Sequence, residues 1–219
     1  MKPLAYMALI LFDDSKTRFF LTISEDTTVK IRSLVSIMSV ALSCALAQPV
    51  RAETPVNTVR NLLDAVRSYN GATDNAMNAQ KVVAETLPIR DLSQEVLGPH
   101  WSKLNASEQK SFVQLLQDLL QKVAYPKSAE FFGDLSIDFV GERVMGADAV
   151  VETTVSHPKE GQITIEYKLR QAGKRWTLTD VLLDSVSLVT NVRTQMQQVI
   201  AKESYQGLLK RMREKLTES

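Results

Sequence analysis

Along the chain, apolar positions fall at helical spacing, then at strand spacing, then at helical spacing again. Asn57 to Tyr69 carries Val59, Leu62, Leu63 and Val66 three and four residues apart, an amphipathic helix that Asn70-Gly71 ends. Residues 74–84 predict a weaker helix. Leu87-Pro88 interrupts the chain, and Asp91 caps a short helix running to Gly98-Pro99. The clearest helix follows: Asn105 is a good N-cap, and Glu108 three residues on completes a capping box. Phe112, Leu115, Leu116, Leu119, Leu120 and Val123 then form one apolar stripe, with Gln114, Gln117, Asp118 and Gln121 opposite. Tyr125-Pro126 is expected to end it.

From Leu135 the period becomes two. Leu135, Ile137 and Phe139 alternate with Ser136 and Asp138; Val151, Thr153 and Val155 alternate with Glu152 and Thr154. Ile163, Ile165, Tyr167 and Leu169 alternate with Thr164, Glu166, Lys168 and Arg170, and Trp176 and Leu178 with Thr177 and Thr179. The turns are Gly146-Ala147-Asp148, residues 158–161 and Ala172-Gly173. Four such strands predict an antiparallel meander with one polar face. Ser187 or Thr190 then opens a helix through Val192, Met196, Val199 and Ile200, and Ser204 opens another containing Leu208, Leu209, Met212 and Leu216. The pattern predicts an α+β domain, a curved sheet covered on one face by helices.

Composition changes this picture at the N-terminus. Lys30 and Arg32 precede an uncharged, largely apolar stretch from Ser33 to Ala47, and Val50-Arg51-Ala52 offers small residues where a signal peptidase cuts. Residues 29–52 therefore read as a secretory signal cleaved after Ala52, which places the protein in the periplasm. The stretch is short of the roughly 20 apolar residues of a membrane span. Asp13, Asp14, Glu25 and Asp26 are foreign to a signal, so residues 1–28 read as an upstream extension, with translation expected to start at Val29; the alternative is a long leader. Cys44 is either discarded with the signal or, by a loose match of Ala41-Leu42-Ser43-Cys44 to a lipoprotein signal, lipidated.

The whole chain carries 26 basic and 25 acidic groups. Residues 1–52 hold six of the basic groups (Lys2, Lys16, Arg18, Lys30, Arg32, Arg51) and four of the acidic ones. Taking these away leaves 20 basic and 21 acidic groups, a charge of −1, on residues 53–219, read as a single domain without cysteine. A chain so balanced is neither disordered by composition nor basic enough to suggest a nucleic-acid partner. Thiolate chemistry and thiolate metal sites are excluded from it.

Candidate chemistry is sparse. The sequence has no Gly-x-Ser-x-Gly elbow, no phosphate-binding glycine loop and no His-Glu-x-x-His. His100 and His157 each stand alone beside a proline, as turn or surface histidines do. Asp180 continues the alternation of Trp176 and Leu178, so it is expected to point inward. It reads as a hydrogen-bonded strand-end residue or, alternatively, as a general base. Lys210, Arg211, Arg213 and Lys215 form a basic cluster interrupted by Glu214, either a solvated helix face or a docking patch. No metal or cofactor is implied.

Four motifs in order resemble the MlaC/toluene-tolerance family of periplasmic phospholipid-binding proteins. They are Glu95-Val-Leu-Gly-Pro-His-Trp101 with Leu104 and Phe112; Trp176-Thr-Leu-Thr-Asp180-Val181; Ser187-Leu-Val-Thr-Asn-Val-Arg-Thr-Gln195; and Tyr205-Gln-Gly-Leu-Leu209. The resemblance spans roughly residues 57–216. It implies an NTF2-like sheet and helices enclosing a deep apolar pocket, and a non-enzymatic carrier. Such a carrier moves phospholipid between an inner-membrane ABC transporter complex and an outer-membrane lipoprotein/porin complex, maintaining outer-membrane lipid asymmetry. A related branch is associated with hopanoid lipids. NTF2-like cones also house enzymes, in which case Asp180 would be the base. The chain departs from common family patterns at Val192 and Met196, often aromatic in members, and at Asp184-Ser185, where members often carry glycine.

If the chain is a carrier, its expected pocket wall is Leu116, Leu119, Val123, Phe139, Val151, Val155, Ile165, Tyr167, Trp176, Leu178, Val189, Val192 and Met196. Periodicity alone does not distinguish a wall residue from a plain core residue. Tyr125 and Arg193 are expected near the mouth, meeting a headgroup phosphate, although Arg193 could equally pair within the fold.

Overall fold

The computed structural model describes residues 53–69, 74–133, 135–157 and 161–218. The expected signal, the upstream extension, Cys44, Asn70-Gly71 and most of the 158–161 turn lie outside them. All the described residues fall in one compact unit.

Helix α1 spans Pro55–Arg67. Thr54 caps it by accepting from the Asn57 amide at 3.2 Å, and Pro55 takes the first-turn position where its missing N–H costs nothing. Helix α2 (Asp74–Thr86) and α3 (Ile89–Leu97) follow, and Gly98 closes α3 at φ +53°. The C-terminal helix packs closely there: a Cβ on Gly98 would meet Gln197 Nε2 at 3.0 Å. A 3-10 turn (Gly98–Lys103) buries Trp101. Helix α4 (Ala106–Leu119) begins at the expected capping box, with Asn105 accepting from the Ser107 and Glu108 amides and Glu108 accepting from the Asn105 amide.

Tyr125-Pro126 does not end this helix. The chain passes through a π turn, Leu120–Ala124, and continues as α5, Tyr125–Phe132. The wider turn restarts the helical register, so Pro126 falls in the first turn of α5, where no amide donor is required.

Strands β1 (Ser136–Met145), β2 (Asp148–His157), β3 (Gly161–Ala172), β4 (Arg175–Leu183) and β5 (Val186–Ser187) form an antiparallel meander in sequence order. The sheet has five strands, one more than expected. Asp184 and Ser185, both at positive φ (46° and 68°), turn the chain so that Leu182 pairs with Ser187 and Leu183 with Val186. Helix α6 (Leu188–Thr217) opens at Ser187, whose hydroxyl accepts from the Thr190 amide, and kinks at Ser204 (φ 78°), the expected start of a second helix.

Two bulges bend the sheet. One makes Val140 an extra residue in β1, between the pairs Phe139–Thr153 and Gly141–Glu152. The other makes Thr179 extra in β4, between Leu178–Leu169 and Asp180–Lys168. Two principal cores result. The helical core is built by α3, the 3-10 turn, α4, the π turn and α6 around Phe112, Leu119, Met196, Leu208 and Met212. The sheet core lies between the concave face and α1 with α5, around Val151, Ile165, Tyr167, Trp176, Val59, Leu63 and Phe132. A smaller cluster joins α1 to α2 through Leu62, Ala79 and Val83.

Candidate functional site

The candidate site is the concave face and the helix laid across it. Inward positions on β2 and β3 alternate as expected: Val151, Thr153 and Val155 face Ile163, Ile165, Tyr167 and Leu169, all buried. Helix α1 seats Val59 and Leu63 on this face. Clefts open on either side of it. One, about 100 Å³, is lined by Glu53 and Asn61 with Val82, Glu85, Thr86, Arg175 and Trp176. The other, about 60 Å³, lies between α1 and edge strand β1 and is lined by Arg60, Leu63, Asp64, Arg67, Ile137 and Phe139. Both are well under the roughly 300–1,000 Å³ of an ordinary ligand pocket.

Polar groups gather in the second cleft. The Arg60 guanidinium lies 4.3 Å from the Phe139 ring centroid. Arg67 donates from a terminal nitrogen to the Leu135 carbonyl, while its buried Nε–H has no acceptor. The Tyr167 hydroxyl is buried in the sheet core beside Thr153, whose hydroxyl donates to the Ile165 carbonyl at 3.3 Å and keeps lone pairs to accept from the phenol. Burial pushes the Tyr167 phenol up to about 12, against the hydrogen bond with Thr153 and the Arg67 charge.

The expected wall residues divide. Val151, Val155, Ile165, Tyr167 and Trp176, with Phe139 and Leu178 partly buried, come together under α1. Leu116, Leu119, Val123 and Met196, with Val189 and Val192 against them, belong to the helical core instead. Tyr125 packs edge-on to Tyr69 at 5.6 Å, and burial there raises its phenol far above the usual range. Arg193 pairs within the fold, the alternative expected for it. Its Nε donates to the Glu95 carbonyl at 2.6 Å and its terminal nitrogen pairs with the Glu95 carboxylate, tying α6 to α3.

Asp180 does not point inward. The bulge at Thr179 reverses the alternation, so Asp180 pairs with outward Lys168, while Val181 pairs with inward Tyr167. Its carboxylate accepts from the Val181 and Val189 amides at 2.9 and 3.2 Å and anchors the start of α6. That is the strand-end role rather than the general-base alternative for Asp180. In the C-terminal basic cluster, Arg211 pairs with Glu203, Lys210 with Glu214 and Lys215 with Glu218.

Sequence reasoning missed Arg60, Arg67, Thr153 and the helix residues Val59 and Leu63 as parts of the site. Arg60 and Arg67 sit seven residues apart on α1, with Leu63 between them. Residues so spaced share a helix face, which was the available signal.

A bent antiparallel meander with a helix across its concave face defines an α+β fold in which helices cover one side of the sheet. The family model of the MlaC protein matches residues 56–214, and the chain belongs to that family. Among solved structures, the chain is similar to the phospholipid-binding protein from Ralstonia solanacearum, determined in complex with a phospholipid. The TM-score is 0.62 at 18% identity, over 76% of this chain and 97% of that one. At that identity the likeness concerns the fold. No curated protein sequence matches the chain.

Proposed function

We propose that the protein is a non-enzymatic phospholipid carrier of the periplasm, exported by the signal ending at Ala52. It shuttles lipid between an inner-membrane ABC transporter complex and an outer-membrane lipoprotein/porin complex. The observation that carries the reading is the apolar concave face under α1, in a chain whose family match covers residues 56–214. A solved structure of similar fold was determined with a phospholipid, which also supports it.

The energetics define the task. Each acyl CH₂ exposed to water costs about 0.8 kcal/mol, so a sixteen-carbon chain costs roughly 13 kcal/mol. A soluble carrier must enclose such chains. Since the two clefts are small, a lipid enters by parting α1 from the sheet, exchanging contacts of Val59 and Leu63 for contacts with acyl chains. Side chains such as Val151, Ile165 and Trp176 are apolar on either side of that exchange.

Native mass spectrometry of the protein purified from Gram-negative cells tests the reading. A phospholipid mass that dissociates on activation is expected. A protein that emerges empty, and stays empty after incubation with phospholipid vesicles, overturns it.

A further inference from the structure

Among the described residues four large apolar side chains are exposed, and three of them lie on one strand: Val140, Val144 and Met145 of β1, at 57%, 54% and 58%. That strand is the edge of the sheet and pairs with β2 alone. An edge presents a row of unpaired amides and carbonyls, which folds usually blunt with lysine, proline, a covering helix or a bulge. The first half of β1 is blunted in this way. Ile137 and Phe139 pack against the sheet core, Arg60 lies over the Phe139 ring, and the bulge at Val140 interrupts the strand. Beyond the bulge, Gly141 to Met145 is exposed at every position and contains neither lysine nor proline. Glu142 and Val144 share the concave side, opposite Val151 and Ala149; Arg143 and Met145 share the outer side, opposite Val150 and Asp148. Glu142 is engaged, since its carboxylate accepts from the Val56 amide at 3.2 Å. Arg143 is exposed and has no ion-pair partner among the described residues.

We propose that β1 from Gly141 to Met145 is a docking edge for an extended segment of a partner protein. The segment adds antiparallel as a sixth strand, with apolar side chains beside Val144 and Met145 and a carboxylate opposite Arg143. Main-chain hydrogen bonds supply the affinity of such strand addition, and the alternating side chains supply its specificity. Charge and area both favour a partner segment over a second copy of this chain. Directly opposed cross-strand residues share a face of the sheet, so two copies paired about a two-fold axis at Glu142 or Arg143 set like charges against each other. A stretch from 141 to 145 runs about 17 Å, and a strand laid on it covers on the order of a few hundred Å². A stable interface takes about 800 Å² from each partner, so this edge fits a partner that docks and leaves.

The test uses the full chain and a fluorescent synthetic peptide of alternating valine and threonine with one central aspartate, followed by anisotropy. Wild-type protein is expected to bind it with a dissociation constant below about 1 mM. The same peptide with lysine in place of the aspartate should bind several-fold more weakly, the worth of an exposed ion pair. N-methylation of the amides along the pairing side of the peptide should abolish binding, because it removes the ladder donors. Arg143→Glu and Val144→Lys change exposed side chains, and an unaltered thermal transition confirms that both variants fold. Val144→Lys is expected to lower binding at least tenfold, and Arg143→Glu to reverse the preference between the aspartate and lysine peptides. No binding at about 1 mM peptide overturns the docking edge. So does an N-methylated peptide that binds as well as its parent, or an Arg143→Glu variant with the preference unchanged. Self-association of the wild type in sedimentation, abolished by Val144→Lys, gives the edge to a second copy and overturns the partner segment. Lipid enters none of these measurements, so their failure leaves the carrier reading standing.

Discussion

The helical core and the sheet core are both apolar, yet they are built to different standards. In the helical core Leu97, Phe112, Leu119, Met196, Leu208 and Met212 are completely buried, and caps and ion pairs such as Asn105–Glu108 and Arg193–Glu95 tie its helices together, although the Tyr205 hydroxyl and Gln195 Oε1 are buried there without partners. The sheet core carries the two flanking clefts and an arginine stacked on its edge at Phe139. We read the helical half as scaffold and the sheet half as the part that exchanges its contacts, because both clefts flank α1 where it lies on the sheet.

The largest effect is expected where the scaffold is cut. Phe112→Ala should lower unfolding free energy by about 3–5 kcal/mol, measured by urea denaturation, while the lipid content of the protein that remains folded is unchanged. A parallel loss of lipid per folded molecule would break the division between the halves.

Alkaline stability comes next. The Tyr167 phenol is raised to about 12 in the native state, against about 10 in the unfolded chain. The folded protein therefore keeps a proton that the unfolded chain releases. The stabilisation is whole below pH 10 and is lost as pH rises through about 12, for a total of about 2–3 kcal/mol. Tyr167→Phe should flatten that loss in denaturant titrations across the same window. An unaltered alkaline profile would mean that the hydroxyl is not held in a desolvated site.

Leu178→Arg tests the sheet half from within. Leu178 is half-buried between the sheet core and the α1–α2 cluster, so a long cation can reach solvent there. We expect at least a tenfold fall in co-purifying phospholipid with the thermal transition retained. Unfolding of this variant would show the sheet half to be plain core.

The smallest effect lies at the junction. Ser185 sits at φ 68° in the two-residue turn leading toward α6, where glycine carries no penalty. Ser185→Gly should raise stability by about 0.5–1 kcal/mol in thermal unfolding, without altering lipid uptake.

Much of this was legible in the residues. The capping box at Asn105, the period-two strands, the Ser187 cap and the break at Ser204 depend on spacings within a few positions, and each appears where the pattern put it. The wall of the site was half legible. Strand alternation identified Val151, Ile165 and Tyr167, but Leu116, Leu119 and Met196 carry the same apolar signal and serve another core. An apolar stripe states that a face is covered and does not state by what.

By itself the sequence determined the succession of helices and strands, the caps at Asn105 and Ser187 and the family to which the chain belongs, because these reside in local spacing and residue type; the cap expected at Asp91 falls instead inside the first turn of α3, which begins at Ile89 after Pro88. Only the tertiary structure decided the phase and partnership of particular side chains. One extra residue at Thr179 turned Asp180 from the concave face to the start of α6, and a π turn carried the helix through Pro126. Pairing with Glu95, 98 positions away, holds Arg193 within the fold, and folding α1 onto the sheet put Tyr167 within reach of the Arg67 charge. A bulge reverses every side chain beyond it, and an ion pair joins residues distant in the chain, so neither is written in the local pattern.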